Sequence, residues 1–183
     1  MKELSLNILD ITENSVKANA TVIHINIVEC ADVLTISIAD NGTGMTAETL
    51  RTVTDPFYTT RTTRKVGMGL PLFKFAAEQT GGTLTIESRH FESFPNNSGT
   101  TVTAVFHKNH IDFTPLGDII SSLTTLIQGH PDIDFVYRHV IGDKKEIHLD
   151  TRELRAVLED VPLDTYEVLT WIGENLSEQY NTI

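Results

Sequence analysis

Apolar residues recur every three or four positions from Leu4 through Leu6, Ile8, Leu9 and Ile11 to Val16, which predicts a helix over residues 3–18 ending at the polar Ala18-Asn19-Ala20-Thr21 corner. The period then changes to two. Ile23, Ile25 and Ile27 alternate with Val22, His24 and Asn26, and beyond Ala31-Asp32 the residues Leu34, Ile36 and Ile38 alternate again, which predicts a hairpin. A short helix capped by Thr46 is expected over residues 46–53, followed by an irregular Thr- and Arg-rich stretch, residues 55–66, that reads as a loop able to move. Residues 69–80 carry Leu70, Phe73, Ala76 and Ala77 on one face, with Pro71 in the first turn and Gly81-Gly82 as the stop. Residues 83–88 and 100–106 alternate as strands around a loop at 91–99.

Beyond His110 the pattern restarts. It predicts a helix entered at Thr114-Pro115 and running to Leu126 or Ile127, a stop at Gly129-His130-Pro131, and a hairpin of residues 134–141 and 145–149 about Gly142-Asp143. Asp150 with Glu153, and Asp164 with Glu167, look like capping boxes for two closing helices. Leu169, Trp171, Ile172 and Leu176 form a stripe expected in the core or at an interface. The chain thus divides into a region spanning residues 1–110 and an α+β appendage spanning 111–183.

Charge sharpens that division. The formal net charge of -11 is shared unevenly, with 11 acids and 9 bases in residues 1–110 against 14 and 5 in residues 111–183. An acidic surface repels phosphates, which argues against nucleic acid or an anionic membrane as main partner, although Arg61, Arg64 and Lys65 form a local basic cluster. Cys30 is the only cysteine, so no intramolecular disulfide or thiolate metal cluster is available. No stretch approaches the roughly 20 apolar residues of a membrane span, and the start of the chain lacks a leader pattern, so a soluble cytoplasmic protein is expected.

Three places carry chemistry. Asp10, Asn14 and Lys17 share a helix face by spacing, and an amide oxygen there is a hard ligand suited to Mg²⁺ beside nucleotide phosphates, with a carboxylate one turn earlier able to act on water or a hydroxyl. An ordinary solvated face is the competing reading. Asp40 ends a strand, and Gly42 and Gly44 remove side chains where a flat ligand would approach, although Asp-Asn-Gly is also a plain turn signal. Arg51 stands where a calcium loop would need Glu. Gly67-Met68-Gly69 opens a helix whose first N–H groups suit phosphate, yet it is neither a dinucleotide fingerprint nor a phosphate loop, and alone it is more simply a helix-entry turn. The seven histidines form no metal set.

Taken in order, these motifs resemble the GHKL ATPases, the superfamily of gyrase, heat-shock chaperone ATPases, histidine kinases and MutL. Residues 10–21, DITENSVKANAT, look like the N box in its MutL-like form; Asp40-Asn41-Gly42-Thr43-Gly44-Met45 looks like the G1 box. Residues 55–61, DPFYTTR, are similar to the histidine-kinase F box, and Gly67-Met68-Gly69-Leu70 to the G2 box. The resemblance implies an α/β (α+β) two-layer sandwich of the Bergerat type, three helices backing a mixed sheet, with ATP and Mg²⁺ as cofactors. By it Asn14 binds Mg²⁺, Asp40 binds the adenine amino group, and Gly42, Gly44, Gly67 and Gly69 shape the pocket with Met45, Phe57, Met68 and Leu70. Lys17, Arg61 and Lys65 are placed near phosphates, and Thr100 near adenine.

The family's base position, one turn before the metal Asn, is Asp10 here, with Glu13 as competitor. The acceptor-bearing helical hairpin of histidine kinases has only residues 1–3 in which to precede the N box, so transfer to an unidentified partner protein is the expected kinase route. A nucleotide-dependent switch or simple ATPase is the alternative.

Overall fold

Helix α1, Leu4–Lys17, turns Leu4, Ile8 and Ile11 inward at spacings of four and three, and each is at most 2% exposed. The computed structural model describes residues 3–54, 68–143 and 145–182. After α1 come β1, Val22–Cys30, and β2, Val33–Asp40; then α2, Ala47–Thr52, and α3, Gly69–Gln79; then β3, Thr83–Arg89, and β4, Gly99–His107. The remainder is α4, Ile119–Gly129, β5, Asp134–Ile141, β6, Lys145–Asp150, α5, Thr151–Leu158, and α6, Tyr166–Asn181.

The six strands form one mixed sheet in the order β3-β4-β2-β1-β5-β6, with every pair antiparallel except β1 and β5. The strands after residue 110 therefore extend the sheet begun before it. The parallel register sets Ile23, Ile25 and Ile27 opposite Phe135, Tyr137 and His139, so the inward-facing row of β1 continues into β5. Leu34, Ile36, Ile38, Val102, Ala104 and Phe106 carry the same row across β2 and β4. Helices α3, α1, α4 and α6 pack side by side in that order over this face. Three helices, those now seen as α1, α2 and α3, were expected in this layer; α2 buries no residue, and α4 and α6 from beyond residue 110 complete it.

Three local expectations change. Helix α4 starts at Ile119 with Asp118 as its cap, accepting from Ser121 N at 2.9 Å, and not at Thr114-Pro115. Gly117 at φ +76° breaks the chain before it, and the carbonyls of Pro115 and Leu116 accept from the N–H groups of Leu4 (2.9 Å) and Ser5 (2.8 Å). They satisfy two donors that the start of α1 cannot pair internally. Helix α6 is capped at Thr165, without a side-chain bond, so Asp164 lies one residue early. Trp171 leaves the expected stripe and is 49% exposed, since α6 buries Val168, Ile172 and Leu176. Asp150 does cap α5, accepting from Arg152 N at 2.9 Å, and the Arg152 side chain beside it holds the carboxyl below the usual carboxylate range.

The end of α6 is tied down by a buried polar cluster. His139, 2% exposed on β5, meets Tyr180 Oη through Nδ1 at 2.7 Å and Glu29 Oε1 through Nε2 at 3.1 Å. Tyr137 Oη meets Tyr180 Oη at 2.6 Å, and Lys108 Nζ donates to Glu29 Oε2 at 2.9 Å. Burial pushes the Tyr180 hydroxyl up to about 12.

Candidate functional site

Asp40 ends β2, and its carboxylate is gripped from three elements. Ser15 Oγ on α1 donates to Oδ2 at 2.7 Å, while Oδ1 accepts from Gly42 N at 2.9 Å and from Thr100 N on β4 at 3.2 Å. A carboxylate has about four lone-pair positions, so one place on Oδ2 stays open to a further donor.

The loop after Asp40 is fixed at each step. Asn41 Oδ1 accepts from Thr21 N (2.9 Å) and Val22 N (3.0 Å), tying the loop to the start of β1. Thr43 N donates to Ala18 O at 2.8 Å, and a Cβ on Gly42 would lie 2.7 Å from that oxygen, so only glycine passes the end of α1. Gly44 has φ +68°, and a Cβ there would meet Arg89 O at 2.0 Å. Met45 N donates to Ser88 Oγ at 2.7 Å, and Ser88 Oγ contacts Thr100 Oγ1 at 2.8 Å.

On the other flank of α1, Gly69 opens α3 with the position of its missing Cβ 3.2 Å from Asp10 Cβ. Gly69 and Leu70 are buried, and Met68 beside them is 46% exposed. Asp10, Asn14 and Lys17 point to solvent at spacings of four and three. Burial pushes the Asp10 carboxyl up, Lys17 pulls it down and Glu13 pushes it up further. Glu13 itself is engaged elsewhere, 2.8 Å from His130 Nε2 at the end of α4. Since α3 and α4 flank α1 on opposite sides, Glu13 and Asp10 serve different faces.

The structure therefore sets Asp40 and Gly42 against one end of α1 and Gly69 against Asp10 on it, with Asn14 and Lys17 exposed, Thr100 on Asp40, and Gly44 and Met45 against Arg89 and Ser88 of β3. Phe57, Arg61, Arg64, Lys65 and Gly67 lie outside the described residues. Ser15, Asn41 and Ser88 were not foreseen. Ser15 continues the Leu4, Ile8, Ile11 spacing and Ser88 the Leu84, Ile86 alternation, so a polar residue in an apolar register was the available signal. Asn41 carried none.

The family model for histidine kinase-, DNA gyrase B- and HSP90-like ATPases matches residues 2–110. Over 68 residues the chain is 40% identical to the sensor histidine kinase ZraS of Klebsiella oxytoca, covering 37% of this chain and 14% of that one. Over 78 residues it is 33% identical to the sensor kinase CckA of Brucella abortus (strain 2308), covering 42% and 8%. The chain thus spans a small part of these relatives. Its fold is similar to the Aquifex aeolicus MutL ATPase domain complexed with ADP, at TM-score 0.54 and 16% identity over 87% of this chain and 70% of that one. It is also similar to the N-terminal domain of a DNA repair protein, at TM-score 0.58 and 19% identity over 82% and 53%. The likeness in fold therefore covers more of the chain than residues 1–110. The chain belongs to the histidine kinase-, DNA gyrase B- and HSP90-like ATPase family, the GHKL superfamily, and carries its ATP-binding domain.

Proposed function

We propose that this chain binds Mg-ATP between α1 and the loop after β2, and passes the terminal phosphoryl group to a partner protein. The observation that carries the reading is the convergence on one helix: Asp40 through Ser15, Gly42 and Thr43 against Ala18, and Gly69 against Asp10. The open lone pair on Asp40 suits one N–H of an exocyclic amine, with Ser15, Gly42 N and Thr100 N fixing the carboxylate's direction.

The residues also fit a nucleotide-borne cation. Among the described residues no group of three or more His, Cys, Asp or Glu is placed to hold a metal alone. A magnesium ion shared with phosphates keeps most of its waters and needs little from the protein, and the exposed Asn14 supplies a hard amide oxygen. When bound, Mg²⁺ neutralises phosphate charge as it moves to the leaving oxygen. Asp10, one turn before Asn14, orients the attacking hydroxyl or water and takes its proton. Lys17, one turn after, adds positive charge on the same face.

Titration with ATP and Mg²⁺ on wild type and on Asp40→Asn tests the binding. Incubation with γ-labelled ATP and candidate partners tests the transfer; label released only as inorganic phosphate would reject it. Asp10→Asn is expected to remove turnover while preserving ATP affinity. Because burial raises the Asp10 carboxyl, the acid limb of turnover is expected above the ordinary Asp value of about 3.9.

A second reading, a nucleotide-dependent switch, is favoured by the way α1 is joined to the acidic part of the chain. Glu13 meets His130, and Pro115 and Leu116 hold the start of the helix, so a shift of α1 is passed to α4. Partner affinity that is equal with ATP, with ADP and without nucleotide would remove this reading.

A further inference from the structure

A groove of about 710 Å³ runs between α4 and α6 on the solvent side of the helix layer, away from Asp40 and α3. Along α6 it is lined by Tyr166, Thr170, Gly173, Ser177 and Asn181, which recur every three or four residues over the whole helix. At 1.5 Å per residue that wall is about 22 Å long, four turns, the length and period that a docked helix presents. Ile120 on α4 and Leu169 on α6 supply apolar surface.

Gly173 is the oddity. In mid-helix glycine is less favourable than alanine. Its φ is negative, and a Cβ there would meet no atom within 4 Å. No packing or backbone requirement inside the described residues calls for glycine. What its lack of a side chain does is deepen the groove.

Charge identifies the occupant. Helix α4 contains no Asp, Glu, Lys or Arg, whereas α6 contains Glu167, Glu174 and Glu178 and no Lys or Arg. Solvent-facing helices ordinarily interleave both signs. Glu174 and Glu178 line the groove. Trp171, 49% exposed, stands four residues after Glu167 and three before Glu174, on the same flank of the helix. The indole lies outside the groove lining, on the flank that Glu174 and Glu178 border, so the two carboxylates carry the charge argument.

We propose that the α4/α6 groove docks an amphipathic helix of a partner protein that carries Lys and Arg. Its apolar stripe seats on Ile120, Leu169 and the Gly173 notch, and its cations meet Glu174 and Glu178. This surface stands apart from the nucleotide site, and docking requires no ATP.

The probe is a synthetic peptide of about 18 residues with Leu at helical spacing and Lys elsewhere. It is compared with a scrambled peptide of the same composition and with a Leu/Glu peptide of the same pattern, in the absence of nucleotide. Calorimetry reads the binding, with the fluorescence of Trp171, the only tryptophan and outside the groove lining, as a second signal. The patterned Lys peptide is expected to bind in the micromolar range and the other two at least about tenfold more weakly. Gly173→Leu fills the notch and is expected to weaken binding about tenfold while leaving Tm unchanged or raised, and Glu174→Lys with Glu178→Lys to weaken it about a hundredfold. Equal binding of the scrambled peptide, indifference to Gly173→Leu, or no binding at all would overturn the proposal. So would a dimer in sedimentation that Gly173→Leu dissociates, because a second copy of the chain would then be the occupant.

Discussion

Two polar clusters join elements far apart in sequence, one around Asp40 and one around His139, and they differ in what they leave unpaired. Glu29 is the acceptor facing Nε2 of His139, so the neutral ring keeps its proton there and Nδ1 accepts from Tyr180 Oη. Tyr137 then donates to Tyr180, and Lys108 fills the other oxygen of Glu29, so each donor in this chain meets an acceptor. Around Asp40 three donors occupy a carboxylate that can take about four, and Asp10, Asn14 and Lys17 beside it face solvent. A closed network holds α6 in place; an open one is shaped to receive something. Both hang on the same sheet and core, which makes the contrast testable.

The largest effect is expected from the core that the two clusters share. Ile172, fully buried on α6, belongs to the same apolar cluster as Ile8 and Phe73. Ile172→Ala is expected to cost about 2–5 kcal/mol. Denaturant unfolding followed by Trp171 fluorescence and by far-UV circular dichroism should give coincident transitions. Separate transitions would show that residues 111–183 unfold alone and that the two clusters are mechanically independent.

Next in size is Asp40→Asn. The amide oxygen still accepts from Gly42 or Thr100, but the site loses its charge, and ATP affinity is expected to fall about thirtyfold, or about 2 kcal/mol, with little change in Tm. Tyr180→Phe is the mirror experiment. It leaves Tyr137 Oη without an acceptor and His139 Nδ1 without a donor inside the core, a loss of about 1–2 kcal/mol in stability, with ATP affinity unchanged. If Tyr180→Phe weakened ATP binding, the closed cluster would be part of the site.

These clusters also mark how far the sequence could be read. The period of three to four in α1 and α3 and the alternation in β1, β2, β3 and β4 were plain, because each element buries one face of its own. Asp40 was visible as a carboxylate at a strand end, and Gly42 and Gly44 as residues whose lack of a side chain had to serve some close approach. The His139 cluster was not visible, since it depends on pairing β5 beside β1 across more than a hundred residues, and no local period encodes a parallel neighbour. Pro115 misled for a related reason: it looked like the first turn of a helix, whereas Gly117 at φ +76° turns the chain and the carbonyl of Pro115 accepts from Leu4 N at the start of α1. Trp171 was drawn into the core stripe by its size, one position away from Ile172, which is the residue that faces inward.

The smallest effect is one of pH, and it is read at the His139 cluster. Burial pulls the His139 pKa down; Glu29 on β1 opposes this, while Lys145 on β6 and Lys108 after β4 reinforce it. Tyr180 from α6 and Tyr137 on the same strand complete the groups around the ring, and both hydroxyls stay protonated through neutral pH. The folded pKa lies below the unfolded one, so between them the unfolded chain binds the proton more readily. The stabilisation from neutral His139 is thus complete above about pH 6.5 and is lost as pH falls through the folded value. Protonation turns the Nδ1 acceptor into a donor, so Tyr180 has to accept from the ring and one hydroxyl hydrogen of the Tyr137–Tyr180 pair loses its acceptor. Tm is therefore expected to drop on going from about pH 7.5 to about pH 5.5. In His139→Gln, whose amide can donate to Glu29 and accept from Tyr180 without titrating, the same interval should be flat. A slope in the variant as steep as in the wild type would assign the titration to another group and leave the His139 cluster with no part in the pH response.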